Sequence, residues 1–480
     1  MKGFITKFAP LLCTIFFLAA CLGDKAPDLD KSSKSNIVDS KKPDNSVWDE
    51  ATPRSVGFNE EALDKAFDYA LADGTYTQAA IVVKDNKLVY ETYRGFAANE
   101  LNSQNTLVAM LNSLLGVSLV ANLPDKNTHT TSWSMAKSIT SILIAIAVEK
   151  KFIKSIDDPV SDYLDEWKDN SDAKNEGDSR QKSRSKITLR NLLNMRSGLK
   201  VVCLKDQALA YCDPSEQPEA MSVDDNAIIF ADNQGDKCLN RPLVENKDGE
   251  TGVSKFVYSN CDSLLLGMII EKATGKDLER FAQTELFSKL GIRETHWWRD
   301  SSRIPVGGRN LAYCCLDATP RDYAKLGQLI VNNGIWNGQQ VVPKWYIDEI
   351  KKSAKLVDDT GPYKTSYGLQ FWSTFNKKDA NSVVFYASGL GGQFIIMDFD
   401  KKMVVVRNSL YQPVLNQSDQ RIMKVSVESG ISFSANLPLD ITKINTKKIK
   451  GSSLPISLPL TVKSNFDFRE FYRQVKDSIQ

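Results

Sequence analysis

The stretch from Thr131 to Val148 constrains the fold most strongly, because a polar segment changes there into a run that is apolar on every side. Such a run is typical of a buried helix. Ser134 and Lys137 form a Ser-x-x-Lys pair where the run begins. If the helix starts near Ser134, the two side chains lie one turn apart on the same face and within reach of each other. The stretch therefore predicts a buried helix whose first turn carries a hydroxyl and an amine.

Ser134 and Lys137 suit the roles of a nucleophile and its base. Desolvation beside an apolar helix disfavours the ammonium form of a lysine, and a helix N-terminus favours negative charge developing on the serine oxygen. The spacing alone is a weak signal, because at least four other pairs have it: Ser171 with Lys174, Ser179 with Lys182, Ser183 with Lys186, and Ser197 with Lys200. Those pairs lie in charged or turn-like stretches, where a lysine is solvated and keeps its proton. Only the context of Ser134 matches the chemistry.

Length and charge limit the functions that need to be considered. A chain of 480 residues can bury a large core, and one large or two smaller domains are expected. Charged residues make up 25% of the chain and balance to a formal net charge of +2. Because no strong overall field results, the composition gives no support for nucleic acid or another polyanion as a partner.

The N-terminus has the pattern of a targeting segment. A positive region with Lys2 and Lys7 precedes the apolar residues 8–17, and Leu18-Ala19-Ala20-Cys21 follows. This resembles a bacterial lipoprotein signal, which implies cleavage before Cys21 and lipidation of that cysteine. An ordinary signal peptide is the alternative.

If Cys21 is lipidated, residues 1–20 form the signal and residues 21–50 a solvated tether rich in serine and lysine. The residue after Cys21 is Leu22, whereas an aspartate at this position would resemble an inner-membrane retention signal. The expected location is therefore the cell envelope, with a lipid anchor in the outer membrane and the protein facing the periplasm or the cell surface.

Six cysteines remain after Cys13 and Cys21: Cys203, Cys212, Cys238, Cys261, Cys314 and Cys315. Export to an oxidising compartment makes disulfides plausible, but the sequence does not choose among the pairings. Cys203 and Cys212 would close the easiest local loop, and Cys314 could bond to Cys315 or elsewhere. A metal site is less favoured, because the chain has no Cys-x-x-Cys and only two histidines. No metal or cofactor is predicted.

Strand-forming sequence lies at both ends of the main domain. A hairpin is predicted from Ala79 to Tyr93 with its turn at residues 84–87, and further strands follow at 367–372, 383–387, 394–397 and 403–408. Helices are predicted at 57–72, 187–199, 263–273, 322–332 and 345–351. This order predicts an α+β fold in which both chain ends build one antiparallel sheet and a mainly helical insertion carries Ser134.

Some segments remain less defined. The main domain is expected at residues 51–435, followed by an extension of unknown role at 436–480. Residues 107–123 are ambiguous in type, 168–186 are predicted to be a surface loop, and 200–255 are loop-rich.

A second proton carrier is needed beside Lys137. His129 and His296 are expected to be structural or surface residues, which argues against a Ser/His/Asp triad. Asp157 and Asp158 directly precede Pro159 at a predicted turn or helix start, where acidic residues are common, so a paired-carboxylate site is not favoured. Tyr258 fits the role, because nearby cations can lower the pKa of a phenol.

Three motifs in order resemble the serine β-lactamase and penicillin-recognising family, in its class C-like branch. They are Ser134-Met135-Ala136-Lys137, then Tyr258-Ser259-Asn260, then Ala387-Ser388-Gly389-Leu390-Gly391-Gly392-Gln393. Residues 156–160, 187–199 and 318–327 are similar to other landmarks of that family. The resemblance covers roughly residues 55–430 and implies a β-lactamase/transpeptidase-like fold.

The resemblance assigns a role to each motif residue. It implies that Ser134 is acylated, that Lys137 is its base or base partner, and that Tyr258 shuttles protons and later activates water. Asn260 would hold Lys137 and the substrate amide. The oxyanion hole would consist of the backbone N–H groups of Ser134 and Leu390.

The third motif departs from the Lys-Thr-Gly or His-x-Gly of β-lactamases and D-alanyl peptidases, because Ala387-Ser388-Gly389 carries no cation. Ser388, Gly389 and Leu390 are the predicted substrate-binding residues of this motif, with glycine allowing close approach of the backbone. The Ala-x-Gly-x-x-Gly-Gln form is similar to amide hydrolases such as 6-aminohexanoate-dimer hydrolase and related esterases.

The sequence therefore predicts hydrolysis of a small-molecule ester or amide, with weak turnover of β-lactams. A D,D-peptidase or penicillin-binding protein and a β-lactamase are the enzymatic alternatives. A lipoprotein that binds cell-wall peptides without catalysis is the alternative from another class.

Overall fold

The structure, a computed structural model, describes ten stretches of the chain, all within the unit Asn45–Gln480. They are residues 48–95, 125–168, 184–205, 208–212, 233–244, 255–300, 308–358, 362–389, 391–409 and 466–480.

The described α-helices are α1 Glu60–Ala70, α2 Met135–Glu149, α3 Leu189–Leu193, α4 Gln234–Leu239, α5 Asn260–Thr274, α6 Leu278–Glu285, α7 Pro320–Val331, α8 Lys344–Ser353 and α9 Phe468–Asp477. Short 3-10 helices lie at Pro53–Val56, Val160–Asp162, Asp165–Trp167 and Phe287–Leu290.

The described strands are β1 Thr77–Lys84, β2 Lys87–Tyr93, β3 Thr130–Thr131, β4 Val201–Lys205, β5 Ala208–Cys212, β6 His296–Trp297, β7 Leu316–Ala318, β8 Ile335–Trp336, β9 Gln339–Gln340, β10 Lys355–Asp358, β11 Tyr363–Gly368, β12 Phe371–Asn376, β13 Asp379–Gly389, β14 Gln393–Asp398 and β15 Met403–Ser409.

Strands from both ends of the domain meet in one antiparallel sheet. Within the described residues its order is β10-β11-β12-β13-β14-β15-β1-β2. The β1–β2 hairpin lies at one end because β1 pairs with β15, with Ile81 opposite Val406. The prediction of one sheet built from both chain ends, with a helical insertion between them, is confirmed.

Helix α2 is buried almost throughout, as its uniformly apolar sequence predicts. It packs with α7 and α5 in a large core on one face of the sheet. Gly327 of α7 allows that helix to lie close to the strands, because a Cβ there would stand 2.6 Å from Val404 and 2.7 Å from Ile395. This packing fixes the beginning of α2 relative to the sheet.

The opposite face of the sheet is covered by α1 and α9, which pack against each other. Phe67 of α1 and Phe471 of α9 meet edge to face, with ring centroids 5.7 Å apart. Residues near the C-terminus thus complete a layer begun near residue 60, although the sequence alone assigned them no role.

Several predicted elements are confirmed with small shifts of their ends. Asn59 caps α1 at its start, and Gly275, at φ 68°, follows the end of α5. The predicted hairpin turn lies at Asp85 and Asn86, which have φ of 50° and 67°. The helices predicted at 322–332 and 345–351 correspond to α7 and α8.

The prediction of one strand at 367–372 is wrong. The chain reverses there between β11 and β12, with Leu369 at φ 47° and Gln370 at φ 66°. Turns of this kind ordinarily take glycine or asparagine. Here tertiary contacts hold the conformation, because Leu369 N–H bonds the Asn194 side chain and Gln370 N–H bonds the Leu193 carbonyl.

The helix predicted at 187–199 begins as expected and ends early. Thr188 caps α3 with the side chain of Asn191 returning the bond, but the helix stops at Leu193 instead of at Gly198. Met195 adopts φ 55°, which no helix continues through. The loop-rich region after residue 200 contains the β4–β5 hairpin and α4.

The ambiguous segment 107–123 and residues 169–183 of the predicted surface loop lie outside the described residues. Among the helices that the structure does describe, none has both the length and the apolar content needed to cross a bilayer.

Candidate active site

The first predicted motif lies at the start of α2. Ser134 is the residue before the helix, and the chain reaches it through Trp133, which has φ 44°. A positive φ is uncommon for a residue other than glycine and often marks a functional turn. The N–H of Ser134 has no hydrogen-bond acceptor within the part of the chain that the structure describes. It is therefore able to donate to a substrate oxygen.

Lys137 is brought to Ser134 as the spacing predicts. Its Nζ lies 2.9 Å from Ser134 Oγ, and the side chain is only 1% exposed. The amine also donates to Asn260 Oδ1 at 2.7 Å and to the Tyr313 carbonyl at 2.9 Å. Asn260 is the first residue of α5, so the contact between α2 and α5 joins the first motif to the second.

Tyr258 is placed beside the same amine. Lys137 Nζ lies 4.8 Å from the centroid of the Tyr258 ring. The ring stacks on Trp372 at 5.7 Å and meets Tyr367 edge to face at 6.0 Å. Burial raises the pKa of Tyr367 well above its usual value, so this neighbour stays neutral. The aromatic contacts fix the orientation of Tyr258 at the site.

The third motif contacts the first through a glycine. A Cβ on Gly389 would lie 2.2 Å from the Ser132 carbonyl oxygen and 3.2 Å from Trp133 Cβ. Only glycine therefore allows β13 to lie against the segment that leads to Ser134. Ser388 on the same strand is half-buried, and the predicted oxyanion donor Leu390 lies outside the described residues.

Ala387 occupies the motif position that the β-lactamases and D-alanyl peptidases fill with lysine or histidine. It is buried in the core and pairs with Ile395 on β14. Its neighbour two positions earlier, Phe385, belongs to the same apolar cluster. The strand therefore presents apolar surface where a carboxylate-binding side chain would be needed.

The turn after the third motif is held by a buried arginine. Arg407 Nη1 donates to the carbonyls of Gly391 at 3.0 Å and Gly392 at 2.7 Å, and Nε donates to Thr77 Oγ1 at 2.8 Å. Its guanidinium carbon lies 4.2 Å from the centroid of the Phe466 ring. The C-terminal residues thus support the turn that connects β13 to β14.

Sequence reasoning did not identify Tyr313 as part of the site. Its carbonyl accepts from Lys137, and its hydroxyl donates to Gln234 at 2.7 Å. Since a backbone carbonyl carries no residue-type signal, only the neighbouring cysteine pair could have drawn attention to this segment. Cys314 and Cys315 are bonded to each other.

A second disulfide joins Cys238 of α4 to Cys261 of α5. The bond is one of the pairings that the sequence left open. The backbones of Cys203 and Cys212 lie in the β4–β5 hairpin, and their side chains fall outside the described part of the structure.

The other candidate residues do not join the site. His129 bonds the Glu294 carbonyl at 3.0 Å, and its ring lies 6.3 Å from that of His296. Asp157 forms an ion pair with Arg190. The Asp158 carboxylate accepts from Ser155 N–H and from a tyrosine hydroxyl, so the two aspartates serve the local turn as expected.

The alternative Ser197–Lys200 pair is also explained by structure. Ser197 Oγ donates to Asp262 Oδ1 at 2.6 Å, which gives the hydroxyl a structural partner. Ser171, Ser179 and Ser183 lie outside the described residues.

Comparison with known proteins gives a consistent family match. The family model described as Beta-lactamase matches residues 63–423. The chain is similar to 6-aminohexanoate-dimer hydrolase of Paenarthrobacter ureafaciens, with 25% identity over 237 residues that cover 48% of this chain and 56% of that protein. The chain spans about half the length of the curated relatives it matches.

Solved structures with similar folds include a penicillin binding protein from Bacillus halodurans, with 16% identity, a TM-score of 0.49, and coverage of 72% of this chain and 94% of that one. A D-stereospecific amidohydrolase from Streptomyces also has 16% identity, with a TM-score of 0.46 and coverage of 73% and 94%.

Proposed function

Because this chain belongs to the beta-lactamase family, whose model matches residues 63–423, we propose that it is a serine hydrolase that cleaves esters or small amides. The acyl-enzyme would form on Ser134. The observation that carries the proposal is the 2.9 Å contact between Lys137 Nζ and Ser134 Oγ in a buried setting. Such a nucleophile and base within hydrogen-bond reach are the signature of covalent catalysis.

The partners of Lys137 support its role as a base. The oxygens of Asn260 and Tyr313 can only accept hydrogen bonds from the amine, whereas the Ser134 hydroxyl can also donate. A neutral amine has two N–H bonds and one lone pair. When the two N–H groups bond these oxygens, the lone pair is directed at the proton of Ser134.

In the acylation step, Ser134 Oγ attacks the substrate carbonyl carbon while its proton passes to Lys137 Nζ. The carbonyl oxygen gains the negative charge and would accept from the N–H of Ser134. By resemblance to the family, the N–H of Leu390 is the second donor. One oxyanion donor is typically worth about 2.7–4 kcal/mol.

Collapse of this intermediate breaks the bond to the alcohol or amine, and an amine must take a proton as it leaves. By resemblance to the family, Tyr258 carries that proton from Lys137 to the leaving amine; the centroid of its ring lies 4.8 Å from Lys137 Nζ. In deacylation water would attack the acyl carbon as one of its protons passes to the same groups. Collapse of that intermediate breaks the bond to Ser134 Oγ, which takes the proton back, and the acid leaves.

The third motif supports esters and small amides over β-lactams and D-alanyl cell-wall peptides. Ala387 is buried beside Ile395, so this strand provides no cation to bind the carboxylate of a β-lactam or a cell-wall peptide. The similarity to 6-aminohexanoate-dimer hydrolase, a relative named for an amide substrate, favours the same class.

Labelling with a fluorophosphonate tests the nucleophile. In this reaction Ser134 Oγ forms a bond to phosphorus and fluoride leaves. Mass spectrometry should place the label on Ser134 in the wild type and find none on the Ser134→Ala variant. Equal labelling of the variant would refute the assignment.

A substrate panel tests the specificity. We expect turnover of p-nitrophenyl acetate and of the 6-aminohexanoate dimer, whose carboxylate lies five methylene groups from the cleaved amide and therefore needs no cation on β13. Nitrocefin, whose carboxylate lies close to the cleaved amide, should be hydrolysed only slowly. Rapid nitrocefin turnover would make the protein a β-lactamase. Stable labelling by fluorescent penicillin would favour the D,D-peptidase alternative, and binding of cell-wall peptides without any acylation would favour the non-catalytic lipoprotein.

We also propose that Cys21 carries a lipid anchor that attaches the protein to the outer membrane. The support is the apolar segment followed by Leu18-Ala19-Ala20-Cys21. Cells fed an alkyne fatty acid should incorporate it into the wild type and not into Cys21→Ser. Incorporation into both would contradict the anchor site.

A further inference from the structure

The peptide segment that contacts Lys137 contains two adjacent cysteines joined by a disulfide. Tyr313, whose carbonyl accepts from Lys137 Nζ at 2.9 Å, is followed directly by Cys314 and Cys315. Both cysteines are buried. The disulfide closes a small covalent ring over the peptide bond that comes next after this carbonyl.

The ring encloses a residue with an unfavourable backbone conformation. Cys315 has φ 68°, a region that residues other than glycine rarely adopt. Its N–H donates at 3.3 Å to the carbonyl of Trp133, which itself has φ 44° and precedes Ser134. The conformation of Cys315 is thus linked directly to the segment that carries the nucleophile.

Further bonds show how closely this segment follows the first motif. Ser132 N–H donates to the Leu316 carbonyl at 2.7 Å, and Leu316 N–H donates to Ser132 Oγ at 3.0 Å. Thr140 on α2 donates to the Ala312 carbonyl at 2.7 Å. A change in the backbone between these two anchors would therefore move the Tyr313 carbonyl.

We propose that the Cys314–Cys315 disulfide is a positioning element for Lys137, because it holds Cys315 at positive φ and so keeps the Tyr313 carbonyl on the amine. The inference rests on the proposed function. With the carbonyl in place, one N–H of the neutral amine is occupied and the lone pair is directed at Ser134. Without the ring, Cys315 can relax to negative φ, and the amine loses the Tyr313 carbonyl as an acceptor.

The Cys238–Cys261 disulfide provides a comparison within the same protein. Cys261 also directly follows a residue that accepts a hydrogen bond from Lys137, in this case Asn260 through its side chain. Cys261, however, lies within α5, whose helical backbone needs no covalent ring. Removing that disulfide takes away a crosslink between helices and leaves the backbone conformation of both cysteines favourable.

The test compares two variants that both lack the disulfide. Cys314→Ser with Cys315→Ser leaves a residue that disfavours positive φ, whereas Cys314→Ser with Cys315→Gly places there the residue that adopts it readily. We expect fluorophosphonate labelling of Ser134 to slow by about 10- to 100-fold in the first variant, since misplacing a reacting group by about 1 Å can cost 10²-fold. The glycine variant should recover most of the wild-type rate.

The control is Cys238→Ser with Cys261→Ser, which should unfold at a lower temperature and be labelled at the wild-type rate while folded. Circular dichroism at the labelling temperature verifies the fold of each variant. Loss of a crosslink alone would affect the serine and glycine variants equally, so recovery by glycine is specific to the positioning role.

Each result decides between the ideas. A wild type that is not labelled would refute the proposed function, whereas a labelled wild type with an equally labelled double serine variant would refute only the positioning role. If the double serine variant does not fold, slow labelling of a folded glycine variant overturns the proposal. Unfolding of both variants would overturn it too, because the ring would then serve the fold and not the base.

Discussion

Lys137 Nζ lies 2.9 Å from Ser134 Oγ, one turn along α2, in a position that is almost completely buried. If this amine takes the serine proton, Lys137→Met should slow fluorophosphonate labelling by about 10²–10⁴-fold, the usual contribution of a general base. The matched control is Lys325→Met, which removes another buried lysine, on α7, that pairs with Asp322. Labelling of Lys137→Met within tenfold of the wild type would mean that the base is another group.

Tyr258→Phe should separate the two halves of the reaction. The substitution keeps the ring that stacks on Trp372 and removes only the hydroxyl. Because p-nitrophenolate leaves without a proton, the initial burst with p-nitrophenyl acetate should remain. Steady-state turnover and amide cleavage should fall by about 10²-fold or more, since both need a proton carrier.

Stopped-flow absorbance measures the burst and the steady state in one experiment. Tyr367→Phe is the control, because this ring belongs to the same aromatic group and its hydroxyl bonds Gln370. An unchanged steady-state rate for Tyr258→Phe would remove this tyrosine from the mechanism.

Gly389→Ala should impair the site through a steric clash. The new Cβ would lie 2.2 Å from the Ser132 carbonyl oxygen, so either β13 or the segment before Ser134 must move. Overpacking of this kind typically costs about 1–3 kcal/mol of stability. We expect slower labelling of Ser134 in protein that is still folded at the assay temperature.

Gly338→Ala is the control for that substitution, because a Cβ there meets no atom within 4 Å, although its φ of 76° costs some stability. Thermal unfolding and labelling are measured on both variants. A wild-type labelling rate for Gly389→Ala would show that the contact between the first and third motifs does not affect the nucleophile.

Much of the fold followed from local sequence patterns. The run after Ser134 is apolar on every side and becomes the buried helix α2. The two strand-forming runs between Ala79 and Tyr93 are separated by a turn and become the β1–β2 hairpin. In both segments the local preference agrees with the tertiary environment. Sequence patterns are reliable where these two agree.

Other features depended on contacts that a linear pattern does not contain. The turn at Leu369 and Gln370 lies in a sequence that favours a strand, and it exists because α2 and α3 provide hydrogen-bond partners, including Ser138 Oγ to the Gln370 carbonyl at 2.6 Å. The early end of α3 at Leu193 has the same origin, since Leu193 and Asn194 bond that turn.

The candidate site shows the same division. The side chains of Ser134, Lys137, Tyr258 and Asn260 could be predicted, because each belongs to a motif with a recognisable residue type. The Tyr313 carbonyl could not be predicted, because any residue supplies such an oxygen and its direction depends on the backbone of a distant segment.

The stability of the protein should depend on pH through Asp157. The hydrogen bond from the Arg190 guanidinium holds the pKa of this carboxyl below its usual value. Because the pKa is lowered by folding, the carboxylate stabilises the native state above the unfolded pKa of about 3.9, and this stabilisation is lost as the pH falls through the native pKa.

We therefore expect Asp157→Asn to reduce the free energy of unfolding at pH 6 and to have a smaller effect at pH 3, below the unfolded pKa, where part of this stabilisation is already lost. Urea unfolding at the two pH values measures the difference. Asp162→Asn, a nearby exposed aspartate, is the control. An equal effect of Asp157→Asn at both pH values would contradict a role of the charge.

Arg407 should be necessary for the turn that follows the third motif. Its guanidinium donates to the Gly391 and Gly392 carbonyls and to Thr77 Oγ1, and a lysine cannot reproduce this fork of donors. Each buried carbonyl left without a donor costs about 1–3 kcal/mol. Arg407→Lys should therefore lower the unfolding temperature and allow the turn to shift.

A shift of this turn also displaces Gly389, whose backbone lies against Ser132, so Arg407→Lys should slow labelling of Ser134 even in folded protein. The control is Arg473→Lys on α9, an exposed arginine that pairs with Glu470 and Asp477. Labelling rates and unfolding temperatures are compared at one pH. If Arg407→Lys is less stable but is labelled at the wild-type rate, the arginine stabilises the sheet without positioning the third motif, and the link between the C-terminal residues and the site is absent.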